Sequence, residues 1–384
     1  MKIVYVAMDD AENKNSWSGT THYLYKNLKK NNTVINISPI KVNNLLFKIL
    51  YKALSKLTGK KFLYARNKYV AKMYSNFVNK KLQQIDTYDC ILSVGTLPTA
   101  FLKVDKPIFM YTDATFDGIK NYYEEFSNLS KLTEKEGYEL EKVALKNYAK
   151  SIYSSQWAKD SAIKHYKISG DEIEVIPFGL NMDEIPLESE IIKNIEEKYK
   201  QEKFKLLFVG KDYRRKGGEI AVKILKELNE KGYDVQLTIV GCNPSILENS
   251  NIKIIPYINK NNKEEYEIYE NLLKESHFLI LPTKADCTPM VSKEANSYGI
   301  PAIISNTGGI PSIVKNNING ILINNYEKSE EFVEKIEFFI KNREAYKLIS
   351  EKTRKYFENN LTWEHSTNKI LKVMEKEIEK CQKK

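Results

Sequence analysis

The stretch Leu206–Leu225, LLFVGKDYRRKGGEIAVKIL, runs from a short apolar strand through Gly210 and a basic loop to Gly217-Gly218, which open a helix. Strand, tight loop and helix in that order form the repeating step of a parallel sheet covered by helices. The step recurs on both sides. Before it the pattern predicts strands at Ile3–Ala7, Thr33–Ile37, Cys90–Val94, Ile108–Tyr111, Ser151–Ser154 and Ile173–Ile176, with helical segments between them. After it come strands Val235–Val240, Ile252–Ile255, Phe278–Leu281 and Ala302–Ile304, with helices Lys263–Glu275 and Met290–Tyr298. Between the two series, Ile185–Lys203 (IPLESEIIKNIEEKYKQEK) is charged and weakly apolar. The expected organisation is therefore an α/β chain of two Rossmann-like doubly wound domains, 1–185 and 204–360, joined by a linker at 186–203. Residues 361–384 read as one long C-terminal helix. Such a pair of sheets is expected to face a ligand cleft with the carboxyl ends of its strands.

Composition narrows the function. The chain has 384 residues and four scattered cysteines without CxxC spacing, which excludes a disulfide framework and a cysteine zinc site. A reducing cytoplasm is the expected location. MKIVYVAMDD is too short an apolar run for a signal peptide, and no stretch is long enough to span a bilayer. The net charge of +10 is concentrated: residues 13–85 hold fifteen Lys and Arg and no Asp or Glu, where roughly nine acids would be expected by chance. Within that window, Leu45–Gly59 (LLFKILYKALSKLTG) places Lys48, Lys52 and Lys56 on one face of an amphipathic helix. Two readings are open: a helix lying on an anionic membrane, or one docked on its own domain with a solvated lysine edge. No nucleic-acid-binding motif accompanies the charge.

A second stretch carries the chemistry. Ala285–Ala295, ADCTPMVSKEA, sets Asp286 and Glu294 eight positions apart across a strand-to-helix turn. Thr288 reads as the N-cap and Pro289 as the first helical residue, which leaves the amides of Met290 and Val291 to bind an anion. The two carboxylates can then take hydroxyls on either side of that anion, a layout that fits sugar, diphosphate and ribose. The plainer reading is that Asp286 caps a turn and Glu294 is a surface helix residue. Lys211, Arg214, Arg215 and Lys216 can neutralise a diphosphate as it leaves. Neither GxxxxGK[ST] nor GxGxxG is present. His22, His165, His277 and His365 have no metal-ligand spacing, and no D-x-D pair occurs.

Four ordered segments, IYSSQWAKDSAIKHYKISGDEIEVIPFGLN, FVGKDYRRKGG, ADCTPMVSKEANSYGIPAI and SNTGGIPSIVKNNINGILI, resemble the retaining GT-B glycosyltransferases of family 4. The resemblance covers nearly the whole chain. It implies that the family's E-x7-E element falls on Asp286, beside the donor sugar, and Glu294, on the ribose. It likewise puts the diphosphate-binding GR-x4-KG pattern on Lys211 and Lys216, with Arg215 auxiliary and Gly210 in the loop. The glycine-rich loop falls on SWSGTTHYL with Gly19, and the catalytic-centre position on Asp113 in MYTDATFDG. Thr288, Met290 and Val291 complete the donor site. The sequence departs from the family at Asp286 (for Glu), Lys211 (for Arg), Pro289 (for Gly) and Ser312 (for Glu), and it keeps a single glycine in the first loop.

The expected activity is transfer of a hexose-type sugar from a nucleotide-sugar donor to a glycan or lipid-linked acceptor, with retention and with neither metal nor other cofactor. Bacterial surface-glycan or glycolipid synthesis, at the inner face of the membrane, is the expected setting. Two other classes share these features: a GT-B-fold nucleotide-sugar epimerase, and a non-catalytic scaffold that binds a nucleotide sugar or a membrane. The C-terminal helix is expected to cross back to the first domain.

Overall fold

The computed structural model describes residues 1–245 and 250–382. The chain divides into two compact units, the first comprising Met1–Asn181 with the helix from Trp363 on, and the second Met182–Thr362.

The first unit begins with β1 (Lys2–Ala7), α1 (Thr20–Leu28), β2 (Thr33–Ile37), α2 (Leu45–Thr58) and α3 (Lys68–Leu82). It continues with β3 (Cys90–Val94), β4 (Ile108–Thr112), α4 (Phe116–Ile119), α5 (Lys131–Asn147), β5 (Lys150–Tyr153), α6 (Gln156–Tyr166) and β6 (Ile173–Val175). All pairings are parallel, in the order β2-β1-β3-β4-β5-β6. Successive strand residues point to opposite faces, and both faces are covered. Val4, Val6, Ile91 and Met110 enter one core cluster, while Ile3, Tyr5, Leu92 and Phe109 enter the other. That is why these strands read as unbroken apolar runs.

The second unit comprises α7 (Glu188–Tyr199), β7 (Phe204–Val209), α8 (Gly218–Glu230), β8 (Val235–Val240), β9 (Ile252–Ile255), α9 (Lys263–Glu275) and β10 (Phe278–Leu281). Then come α10 (Met290–Ser297), β11 (Ala302–Ser305), β12 (Gly320–Ile323), α11 (Ser329–Lys341) and α12 (Arg343–Asn360). Its sheet is parallel in the order β12-β11-β10-β7-β8-β9. Strand order reverses between β7 and β10, the topological switch point at which doubly wound sheets hold ligands beyond their carboxyl ends.

Two expectations change. The stretch expected as a linker, 186–203, is mostly α7, packed on α12 with Ile191 and Ile195 buried. Apolar residues four apart make a stripe that folds into the second unit despite the charge around it. The short strand β12 was missed; it pairs with β11, Ala302 opposite Gly320. Finally α13 (Trp363–Gln382) returns to the first unit and packs on α1, burying Ile370 and Met374 in the cluster that holds Tyr5 and Tyr23. Positions 383–384 of the expected C-terminal helix lie outside the described residues.

Candidate active site

The loops after β7 and β10 meet at the switch point. The Lys216 ammonium is bonded to the Asp286 carboxylate, with both side chains largely out of water, 13% and 8% exposed. Arg215 braces the same junction: Nη1 donates to the Ala285 carbonyl at 2.7 Å and Nε to Asp212 Oδ2 at 3.1 Å. Thr283 Oγ1 and the Lys284 amide both donate to the Arg215 carbonyl, at 3.1 and 2.8 Å. Gly217 makes this approach possible. Its φ is +80°, and a Cβ there would lie 1.9 Å from the Pro282 carbonyl oxygen. Gly210 lies under Lys216, whose Cγ would be 2.9 Å from an added Cβ. Lys211 is exposed at the end of β7. The loop after β11 joins from the other side, with the Gly309 amide on the Asp286 carbonyl at 3.1 Å.

The helix α10 begins at Met290, as its segment predicts, and one residue later than the capping reading placed it. Pro289, with ψ 107°, is extended and stands at the N-cap without a side-chain cap. Its carbonyl accepts from the Ser292 amide at 3.2 Å, so Thr288 lies outside the helix and Pro289 is not its first residue. The reason is geometric: the N-cap supplies the first acceptor while keeping non-helical angles. Met290 and Val291, half-buried, become the first two helical residues, and their amides precede the first intrahelical donors. Met290 and Val291 are the residues from which an anion-binding pair of amides was expected.

Glu294 is not a surface residue: it is 4% exposed, on the inner side of α10. Lys260 Nζ donates to both Glu294 oxygens at 2.7 Å, and Tyr269 OH donates to Oε2 at 2.5 Å. The ammonium also lies 4.1 Å from the centre of the Tyr269 ring. Burial, and secondarily the Glu294 charge, push the Tyr269 hydroxyl well above its ordinary pKa, so it remains a donor. The sequence gives no sign of Lys260 or Tyr269. They lie 34 and 25 positions from Glu294 in the chain, and only the packing of α9 and its leading loop on α10 joins them.

The remaining expected residues lie in the first unit. Gly19 and Asp113 follow β1 and β4 on the same carboxyl edge, with β3 between those strands. The turn before α1 is left-handed over three residues: Trp17 (φ 46°), Ser18 (φ 54°) and Gly19 (φ 90°). Two non-glycines held there imply strain that surrounding bonds must offset. Asn181 supplies them, its amide donating to the Ser18 carbonyl at 2.8 Å and to Thr20 Oγ1 at 3.1 Å. Trp363 Nε1 on α13 donates to Asn181 Oδ1 at 2.8 Å and fixes that amide.

Lys48, Lys52 and Lys56 are all exposed on α2, Lys48 lying 5.5 Å from the Tyr64 ring. So are Leu46 (81%), Ile49 (58%), Leu50 (52%) and Leu57 (83%). The reading of α2 as docked on its own domain with a solvated lysine edge holds in part: Tyr51 is buried and Phe47 packs against the core of the first unit, while the outer apolar residues face water. No helix among the described residues is long and apolar enough to cross a membrane.

Comparison with known proteins bears on the fold. Residues 189–356 match the model of the family Glycosyl transferases group 1. The chain is 25% identical over 243 residues to the capsular polysaccharide biosynthesis glycosyltransferase CapM of Staphylococcus aureus, covering 59% of this chain and 61% of CapM. It spans about half to three-fifths of the length of the curated relatives it matches. Among solved structures, a glycosyltransferase from Rickettsia africae ESF-5 superposes with a TM-score of 0.65 at 20% identity over 98% of each chain. HepE of Anabaena, solved in complex with UDP-glucose, gives a TM-score of 0.63 at 15% identity over 98% of this chain and all of that one (100%). The chain thus has the GT-B fold of two Rossmann-like domains, and most of its second unit is similar to the Glycosyl transferases group 1 family.

Proposed function

We propose that this protein is a retaining, metal-independent glycosyltransferase of the family 4 type, which moves a hexose-type sugar from a nucleotide-sugar donor to an acceptor hydroxyl. The observation that carries this reading is the flanking of the α10 N-terminus by two acids in different settings. Asp286 is paired with Lys216 on one side, and buried Glu294 lies a turn and a half along on the other. The diphosphate takes the amides of Met290 and Val291 with Lys211 and Lys216, Thr288 lying beside it. Asp286 takes sugar hydroxyls, and Glu294 takes the ribose. Developing negative charge on the departing diphosphate is where fixed cations and helix amides gain most.

The acceptor oxygen bonds to the anomeric carbon on the face from which the diphosphate leaves, and its proton passes to a donor phosphate oxygen. Two lysines and the helix terminus carry the charge that a metal would otherwise carry. On the first unit, Asp113 is the group that orients the reacting hydroxyl, with Gly19 in the loop after β1. The HepE complex with UDP-glucose and the capsular role in CapM's name support a nucleotide-sugar donor and bacterial surface-glycan or glycolipid synthesis. The exposed apolar and basic residues of α2 support a lipid-linked acceptor met at the cytoplasmic face of an anionic membrane.

The test is a thermal-shift panel of UDP-, GDP-, ADP- and dTDP-sugars in EDTA with wild type, Lys216→Ala and Glu294→Ala. One nucleotide class should raise the Tm of the wild type alone. Equal response by the variants would place the donor elsewhere.

A further inference from the structure

Glu294 is the acid to which the proposed function gives the ribose, and its outward lone pairs are already taken. Lys260 Nζ bonds both oxygens at 2.7 Å and Tyr269 adds a third bond. One ammonium on both oxygens of a carboxylate sits on the line that bisects them. The two hydroxyls of a vicinal diol, each donating to one oxygen, need that same position. Both cannot be there at once.

We infer that Lys260 is a donor-site residue that holds the place of the ribose diol on Glu294, so that donor binding is an exchange of ammonium for diol. This rests on the reading of Glu294 as the ribose acid. Three features fit exchange better than a fixed ion pair. Lys260 belongs to the short segment between β9 and α9, not to a helix or strand. Its side chain is 38% exposed, against 5% for that of Glu294, so the ammonium can swing into water on a flexible stem while the carboxylate cannot leave. Tyr269 stays bonded to Glu294 from the rigid face of α9, so the acid keeps one partner through the exchange.

The consequence has an unusual sign. Removing Lys260 leaves Glu294 buried with less compensation in the empty protein, which raises the energy of the empty state and not of the complex. Lys260→Met should therefore bind nucleotide more tightly than the wild type.

The experiment is calorimetric titration of the full chain with UDP, GDP and ADP, on wild type, Lys260→Met, Lys260→Gln and Lys260→Arg, with a melt of each protein alone. For the nucleotide that the wild type binds, Lys260→Met should tighten Kd by roughly 3- to 30-fold and melt lower when empty. Lys260→Arg, which keeps the pair, should stay within about twofold of wild type. Lys260→Gln serves if the Met variant does not fold, and should fall between the two. A Kd that is unchanged or weaker in the Met or Gln variant overturns the exchange and leaves the donor reading standing. Failure of every form of the protein to bind any of the three nucleotides overturns both.

Discussion

Lys216 is bonded to Asp286 across the point where the order of the second sheet reverses, so the cation expected on the diphosphate and the acid expected on the sugar are one unit. Each holds the other in place, and neither acts alone. Lys216→Ala should lower the rate of sugar transfer by about 10²- to 10³-fold. Asp286→Asn should lower it too, because the lysine loses the partner that aims it. In the double variant the losses should fall well short of the product of the single effects, as for residues that act together. Multiplicative losses would mean that the two act separately and that neither depends on the other.

Asn181 should matter out of proportion to its size. Its amide holds the left-handed turn Trp17–Gly19 and is itself held by Trp363. Asn181→Ala removes three hydrogen bonds in a buried place, an expected loss of about 1–3 kcal/mol. Faster amide hydrogen exchange at the start of α1, with the second unit unaffected, would locate the loss in that turn. Trp363→Phe should reproduce part of it. Unchanged exchange there would show that the turn holds itself.

Stability should respond to pH through one corner of the second unit. Burial lowers the Lys198 ammonium from 10.5 to about 7, with its Nζ donating to the Ser276 carbonyl at 2.9 Å. Burial also lowers His277 from 6.5 to about 3; its Nδ1 accepts from the Lys205 amide at 3.1 Å, which fits the neutral ring. Where the unfolded chain holds a proton that the folded chain lacks, stability rises with pH. For Lys198 that window runs from about pH 7 to 10.5, and for His277 from about pH 3 to 6.5. The Tm of wild type relative to Lys198→Met should therefore climb between pH 7 and 9.5. Relative to His277→Asn, it should fall as pH drops below 6. A flat difference in either series would rule out that group.

On α2 the apolar residues, more than the lysines, should decide membrane retention. Leu46→Ser, Leu50→Ser and Leu57→Ser together remove apolar surface now facing water, and should release the protein from vesicles containing phosphatidylglycerol. Replacing Lys48, Lys52 and Lys56 by Glu should weaken binding to those vesicles and leave the weak binding to neutral ones unchanged. Flotation assays separate the two. Equal behaviour of wild type and both triple variants would remove the membrane from the proposed function.

The strands were legible mainly where both faces of a sheet are buried: Cys90–Val94 and Phe204–Val209 have the limits their apolar runs imply, and the partly exposed edge strand Thr33–Ile37 also keeps its expected limits. The linker was misread because composition there is dominated by charge, while Ile191 and Ile195 alone carry the packing. At the candidate site, Lys216, Asp286 and Glu294 were singled out by ordered strand-to-helix turns that resemble those of a known family, more than by their spacing. Lys260 and Tyr269 were not, since each reaches its partner through tertiary approach and stands in no motif; Asn181 closes the segment ending IPFGLN, but its hold on the Trp17–Gly19 turn is a tertiary contact. The exposure of the apolar side of α2 was also beyond reach. An amphipathic pattern shows that two faces differ, but not which of them the rest of the domain covers.

The return of α13 to the first unit sets an order of events during synthesis. The second unit is a single continuous stretch, Met182–Thr362, and has all its residues before α13 exists. The first unit emerges from the ribosome earlier yet lacks the helix that supplies Ile370 and Met374 to its core and Trp363 to Asn181. Half-made chains therefore leave the apolar residues of α1 that face Ile370 and Met374 without that cover until α13 arrives. This is the stage at which a chaperone would have its largest effect.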